Sequence, residues 1–405
     1  MNTQSTSHGY SISGKQLLAL LLLACGVVFA VLSQAFGYER VLGMMGVPVL
    51  APPFLDVRTI TGGAESVREG LDPMISNPGD PLNRPLNYPR IWQLLYDAGL
   101  SSRHAVPFGI AVGAAFLLSL FAFTGRLRKV TAVVLAAALC SPAVMFGLER
   151  GNTDLLMFAI VAAGLWFFPR SPWAFLATVI AAFLLKLYPI AAAAPLLLLD
   201  RKLGLKLAAV AAIVVVLYIV LTWDDIQFIL SNTPRSTDYS FGVEVLWRSL
   251  PDRNAGLREI ISYLTYPAAA VLVIAGYYIA RSTRLDSGSG DYLAAYYAGA
   301  AVYIVVFLFG TNWDYRLVFL LFTIPQLVEW IKTASNRICW ISYGTLVFIL
   351  AVLWKSMLFQ WLLQLPYGSF LQLLANEATG WLVFSGLLIL LLASFLAKSR
   401  PQISA

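Results

Sequence analysis

The chain has 405 residues, of which 59% are hydrophobic and only 12% charged. A soluble globular domain carries roughly 25% charged residues, so this deficit excludes an ordinary soluble enzyme and makes lipid the main solvent. The formal net charge of +7 raises nucleic acid as a partner, but the basic residues sit in short loops between apolar runs, which speaks for membrane orientation instead.

Residues 1–15 read as a polar cytoplasmic tail, followed by a first apolar run over about 16–36. That run is too long for an ordinary signal-peptide core, and no small-residue cleavage site follows closely, so it reads as an uncleaved helix. A polar segment, 37–104, comes next. Further apolar runs cover about 105–124, 130–148, 154–168, 173–186, 188–199, 205–222, 262–280, 292–311, 317–332, 338–356 and 379–397. Runs near 18–20 residues are long enough to cross a hydrocarbon core of about 30 Å. The expectation is an all-α polytopic membrane protein, one integral domain over 1–405, with about 11–12 transmembrane helices and extra helices in extracytoplasmic loops.

Alternating sides from a cytoplasmic N-terminus places Arg126/Arg128/Lys129, Arg170, Arg201/Lys202/Lys206, Arg281/Arg284, Lys332/Arg337 and Lys398/Arg400 inside. Of the 21 acids, only Asp200, Asp286, Asp291 and Glu329 join them, as the positive-inside rule expects. The layout turns on 173–199, which reads either as one tilted helix or as two short ones broken at Lys186-Leu187-Tyr188-Pro189. Proline disfavours helical geometry at Tyr188, and a lysine at mid-membrane costs a few kcal/mol, so two helices with Lys186 near the outer surface are preferred.

The outer face then holds 37–104, 223–261 and 357–378. In the second, Val243, Leu246, Leu250, Leu257, Ile260 and Ile261 lie among Arg248, Arg253 and Arg258, the pattern of a helix lying in the interface. Trp92, Trp223, Trp313, Trp361 and Trp381 fall near helix ends and read as interfacial anchors. Cys25, Cys140 and Cys339 all lie in apolar runs, and His8 and His104 are isolated. Neither a disulfide framework nor a metal site is expected from them, and no cofactor is expected.

Polar groups gather at the outer helix ends in five places. These are Asp56-Val57-Arg58; Gly70-Leu71-Asp72-Pro73 with Asn87-Tyr88-Pro89-Arg90; Glu149-Arg150-Gly151-Asn152-Thr153-Asp154; Lys186-Leu187-Tyr188-Pro189; and Asn312-Trp313-Asp314-Tyr315-Arg316. Charges at such depth are costly unless paired or facing an aqueous cavity, so convergence on one cavity is expected.

The ordered set Asp56, Gly70-Leu71-Asp72-Pro73, Tyr88-Pro89, Arg150-Gly151-Asn152-Thr153-Asp154 and Lys186-Leu187-Tyr188-Pro189 resembles glycosyltransferase family 87 over roughly residues 15–220. The C-terminal half matches only in being hydrophobic. Members are integral membrane enzymes of the GT-C fold that use polyprenyl-phosphate sugars, polyprenyl-phosphomannose-dependent mannosyltransferases among them. The family often has aromatic residues soon after its first acid, where this chain has Arg58, Thr59 and Ile60, and its Tyr-Pro-Pro is Tyr88-Pro89-Arg90 here.

The resemblance implies a hexosyltransferase acting on the extracytoplasmic face, in a bacterial cytoplasmic membrane, with a polyprenyl-phosphate sugar as donor and a lipid or glycan as acceptor. It implies Asp56 as the general base that takes the acceptor proton. The departing lipid phosphate calls for fixed cations. Arg58, Arg150, Lys186 and Arg316 are candidates, with Asp72, Tyr88, Asn152, Asp154, Tyr188 and Asp314 as further donor or substrate contacts and no metal.

Each residue also has a plainer role. Asp56 can pair with Arg58 or Arg68. Asp72-Pro73 and Tyr88-Pro89 are ordinary turn formers. Asn152 and Asp154 can cap the helix that begins near Leu155. Asp314 and Arg316 can form a buried ion pair, and Lys186 can snorkel. Asp224-Asp225 reads as solvated loop acids. The alternative reading of the whole chain is a multi-helix transporter or lipid flippase without transferase chemistry; a non-catalytic assembly subunit is a third.

Overall fold

The computed structural model describes residues 12–283, 292–334 and 336–399. The N-terminal tail through residue 11, with His8, lies outside the described residues, as do Arg284, Asp286, Asp291 and Arg400 of the expected charged loops.

A Ser13/Gln16 capping box opens helix α1 (Gly14–Phe36), and Gly37 at φ +88° ends it. The polar segment that follows folds as α2 (Tyr38–Met44), α3 (Leu55–Arg68) and short turns over 90–97 and 102–104. Then come α4 (Ala105–Phe123), α5 (Lys129–Leu139), α6 (Pro142–Arg150), α7 (Thr153–Phe167), α8 (Pro172–Leu185), a 3-10 stretch Tyr188–Leu198 and α9 (Arg201–Leu221). The remainder is α10 (Trp223–Asn232), β1 (Ser240–Phe241), α11 (Ala255–Ser282), α12 (Leu293–Leu308), β2 (Asn312–Trp313), a 3-10 stretch Asp314–Phe322, α13 (Ile324–Thr333), α14 (Asn336–Leu353) and α15 (Gly368–Ser399). β1 and β2 pair antiparallel, Ser240 opposite Trp313 and Phe241 opposite Asn312.

Among the described residues five helices are long and apolar enough to cross a membrane, or seven if two bent pairs each count as one span. The bent pairs are α5 with α6, at 57°, and 337–353 with 355–364, at 73°. Four further apolar helices are only 10–17 residues long. Proline explains much of this: Pro142 restarts the chain after Cys140-Ser141, and Pro189 and Pro195 hold 188–198 in 3-10 geometry, where each removes a helical N–H. The expected interfacial helix over 243–261 is not one helix: it is a single turn, Val245–Arg248, a break at Pro251, and the first turns of α11.

The stretch 173–199 forms a hairpin whose arms, α8 and Tyr188–Leu198, pack together. Lys206 Nζ lies 5.4 Å from the Trp173 ring centre, so both ends of the hairpin meet, and Lys186 sits at its turn. That same end of the bundle collects the expected basic loops. Lys15 Nζ donates to the Phe121 carbonyl at 3.0 Å, Arg128 pairs with Glu329 at 2.8 Å, and Lys398 Nζ donates to the Leu199 carbonyl at 2.7 Å.

The core is aromatic at its centre. The Phe158 ring on α7 stacks on Phe322 at 4.0 Å and touches Phe116 and Phe123 edge-on. Glycine permits the closest approach: a Cβ at Gly299 on α12 would stand 2.6 Å from the Phe319 carbonyl oxygen. Small residues at such crossings suit helices packed in lipid, where dispersion contacts replace the hydrophobic drive.

Candidate active site

At the end of the bundle opposite the basic loops, the break between α6 and α7 builds the first part of the site. Gly151 takes φ +59° at the end of α6, a conformation that costs glycine nothing. A Cβ there would also stand 3.0 Å from the Phe54 ring. Asn152 then caps α7, its Oδ1 accepting the Asp154 N–H at 2.8 Å. Its remaining amide group is free to reach elsewhere, and Nδ2 donates to Asp56 Oδ2 at 2.6 Å.

Asp56 stands in the first turn of α3, where carboxylate charge suits the helix dipole. Its other oxygen faces Arg84 Nη1 at 3.3 Å. Arg84 is itself fixed: its guanidinium donates to Asp80 Oδ2 at 2.8 Å, to Asp80 Oδ1 at 3.1 Å and to the Leu55 carbonyl at 2.6 Å. Asp80 also accepts from Thr59 Oγ1 at 2.8 Å and from the Leu82 N–H at 2.9 Å. Burial alone would raise the Asp80 carboxyl, but the hydrogen bonds and charge of Arg84 outweigh it and hold it below the ordinary carboxylate value.

Behind Asn152 lies a denser cluster. Asp154, fully buried, pairs with Lys186 and, at 3.2 Å, with Arg316 Nε. Lys186 Nζ also donates to Thr153 Oγ1 at 3.1 Å and stands 5.3 Å from the Tyr88 ring centre. Arg316 lies 4.3 Å over the Tyr188 ring and donates to Asn312 Oδ1. One buried carboxylate thus faces two cations, an excess of positive charge that invites an anion. Burial, with the Asp56 charge adding, pushes the Tyr88 phenol up, so it remains a neutral hydroxyl at neutral pH.

In front of this cluster, and not lined by its Asp154, Lys186 or Arg316, is a cleft of about 220 Å³ bounded by Asp56, Arg84, Asn87, Tyr88, Arg150 and Tyr315 among others. Thr233 and Pro234, from the second long loop, complete the wall, and the Trp313 indole N–H donates to the Pro234 carbonyl at 3.0 Å. Arg150 is buried over Phe146, its ring centre 5.3 Å away, with Glu149 at 3.6 Å. That ion pair joins the Arg150 Nε to Glu149 Oε2, a little beyond hydrogen-bond distance.

Of the residues singled out in the sequence, Asp56, Tyr88, Arg150, Asn152, Asp154, Lys186, Tyr188 and Arg316 come together here. Arg58 lies on another side of α3 from Asp56, and its Nε donates to the Pro53 carbonyl at 2.8 Å. Asp72 stands apart in a surface network: Arg90 bonds it at 2.8 and 3.2 Å and also reaches Asp225 at 2.9 Å. Those bonds from Arg90 hold the Asp72 carboxyl below the usual range. Asp225 is therefore a paired acid, where solvation alone was expected. Asp314 pairs with Lys355 at 2.7 Å, both side chains at most 5% exposed, instead of with Arg316.

Arg84, Asp80 and Lys355 escaped the sequence reading. The i, i+4 spacing of Asp80 and Arg84 was the one available signal, and it is common in turns. Among the described residues no group of three or more His, Cys, Asp or Glu is arranged to hold a metal ion. Compared with protein-family models, curated proteins and solved structures, the chain matches none.

Proposed function

We propose that the chain is an inverting membrane glycosyltransferase that moves a hexose, mannose-like, from a polyprenyl-phosphate donor to a lipid or glycan acceptor. In this reading the bundle is GT-C-like, with about 11–12 membrane passages once short and bent helices are counted. The cleft faces the extracytoplasmic side of a bacterial cytoplasmic membrane. Asp56 accepts the proton of the acceptor hydroxyl as its oxygen bonds to the anomeric carbon. The bond from that carbon to the phosphate oxygen breaks, and polyprenyl phosphate departs with the electron pair.

The observation that carries the reading is one carboxylate and two guanidinium groups lining one small cleft. Asp56, Arg84 and Arg150 line the same 220 Å³ space, with the Arg150 Nε 3.6 Å from Glu149 Oε2. Arg84 orients Asp56 without depending on it, because Asp80 and the Leu55 carbonyl already hold the guanidinium. Lys186 and Arg316 supply the excess positive charge behind it, where a low local dielectric strengthens attraction for a leaving phosphate. A transporter places paired charges near the midplane with gates on both sides; here they gather beside a cleft at one end.

The experiment is sugar transfer by purified protein in lipid, from labelled polyprenyl-phosphate sugars to a membrane lipid extract. Arg150→Gln should raise the donor KM about tenfold or more, as loss of one hydrogen bond to a charged group does. A donor KM unchanged by that substitution would remove Arg150 from the donor site.

A further inference from the structure

A second cavity, about 750 Å³, runs along α1 on the other side of α6 from the cleft. Cys25, Phe29, Phe36, Met145, Leu148 and Trp354 are among its lining residues. Met145 and Leu148 of α6 face this groove, while Arg150, at the end of the same helix, lines the polar cleft. The groove extends on α1 from Leu22 to Phe36, a rise of roughly 21 Å, and one leaflet of the hydrocarbon core is about 15 Å deep. Its single charged lining residue is Arg40. Gly37, at φ +88°, turns the chain out of α1 and sets Arg40 on α2 beyond the last apolar residue of α1. Arg40 is exposed, and among the described residues it makes no hydrogen bond, ion pair or ring contact.

An apolar groove in the lipid-facing surface does not hold water, and leaving it empty forfeits dispersion contacts along its whole length. A guanidinium at the headgroup level above it is matched by phosphate oxygens, which it can bind in a bidentate way. We infer that this groove is a lipid-binding site for an anionic glycerophospholipid, one acyl chain lying along α1 and the phosphate held by Arg40. The site is separate from the polar cleft and does not depend on the proposed transferase chemistry.

The test uses the full-length protein reconstituted in vesicles of equal parts phosphatidylcholine and phosphatidylglycerol. After extraction into mild detergent, retained lipid is counted by native mass spectrometry. Wild type should keep phosphatidylglycerol in preference to phosphatidylcholine. Arg40→Gln should lower that retention about tenfold, the factor carried by one charge-assisted hydrogen bond, whereas Arg103→Gln should not. Gly26→Phe offers a second variant: a Cβ at Gly26 meets nothing within 4 Å, so the ring can fill the groove and displace the chain. Equal retention of both phospholipids by wild type, or retention unchanged in Arg40→Gln and Gly26→Phe, would overturn the site in favour of ordinary boundary lipid. Displacement of phosphatidylglycerol by added polyprenyl phosphate, with Arg40→Gln weakening the latter, would overturn the assigned occupant.

Discussion

The side-chain amide of Asn152 donates to Asp56 Oδ2 at 2.6 Å across 96 residues of chain, while its carbonyl oxygen caps the helix that carries Asp154. One residue thereby fixes both the candidate base on α3 and the acid that gathers Lys186 and Arg316. Asn152→Ala removes both bonds, and Asn152→Asp keeps the cap but sets a second carboxylate against Asp56. Both variants should lose transfer, yet only Asn152→Ala should lose helix-cap stability, about 1 kcal/mol. Paired thermal-unfolding and transfer measurements report the two effects; an Asn152→Ala unfolding midpoint equal to wild type would contradict the capping role.

Asp154 is buried between two cations, so its removal leaves both uncompensated. Asp154→Ala should destabilise the protein by about 3–5 kcal/mol. Lys186→Met should cost less, because Arg316 still pairs with the carboxylate. Unfolding midpoints in one lipid or detergent provide the comparison, and an Asp154→Ala midpoint equal to wild type would show that the cluster is open to water.

Lys355 joins two distant pieces of the cleft end, pairing with Asp314 at 2.7 Å and donating to the Ser240 carbonyl at 2.5 Å. Asp314 N–H in turn bonds the Tyr239 carbonyl at 2.8 Å, so this pair clamps the β1–β2 ribbon beside the cleft. Lys355→Met should destabilise by about 3–5 kcal/mol by stranding Asp314, and Lys355→Met with Asp314→Leu should recover a good part of it. A double variant no more stable than Lys355→Met alone would mean that the pair's worth lies in the Ser240 contact.

The Asp80–Arg84 clasp gives a pH dependence of definite sign. The Asp80 carboxyl is held below its ordinary value by Arg84, so the unfolded chain binds the proton more readily than the folded one. Its stabilisation is present in full above about pH 4, the unfolded carboxylate range, and fades as pH falls through the lower folded value. Wild type should therefore lose stability on acidification below about pH 4, and Asp80→Asn should show a shallower loss there. Parallel slopes in wild type and Asp80→Asn would contradict the assignment.

Hydropathy and proline made the helical character and the break at Lys186 readable, because both follow from local sequence. So did the convergence of the Arg150–Asp154 segment with Lys186, since each sits at a helix end that the alternation of sides brings together. What local sequence hides is pairing between loops. Asp56 could be matched to Arg58 or Arg68 by nearness in sequence, but the partner is Arg84, 28 residues away and brought back by a turn with little periodicity. Asp314 could be matched to Arg316 by the same habit, but helical geometry carries the two to different neighbours, Lys355 and Asp154. The bends at Ser141 and Trp354 fall inside runs read as single helices, although Pro142 and Lys355-Ser356 mark them locally.

The most direct measurement is transfer from labelled polyprenyl-phosphate sugars by wild type, Asp56→Asn and Asp56→Ala in the same lipid, with folding checked by unfolding midpoint. Arg84 stays anchored by Asp80 in both variants, so they should fold. The account predicts transfer by wild type and its loss in both variants by a factor of about 100 or more, the contribution of a positioned general base. Transfer by the folded variants at the wild-type rate would contradict Asp56 as the base and move that role to another acid of the cluster.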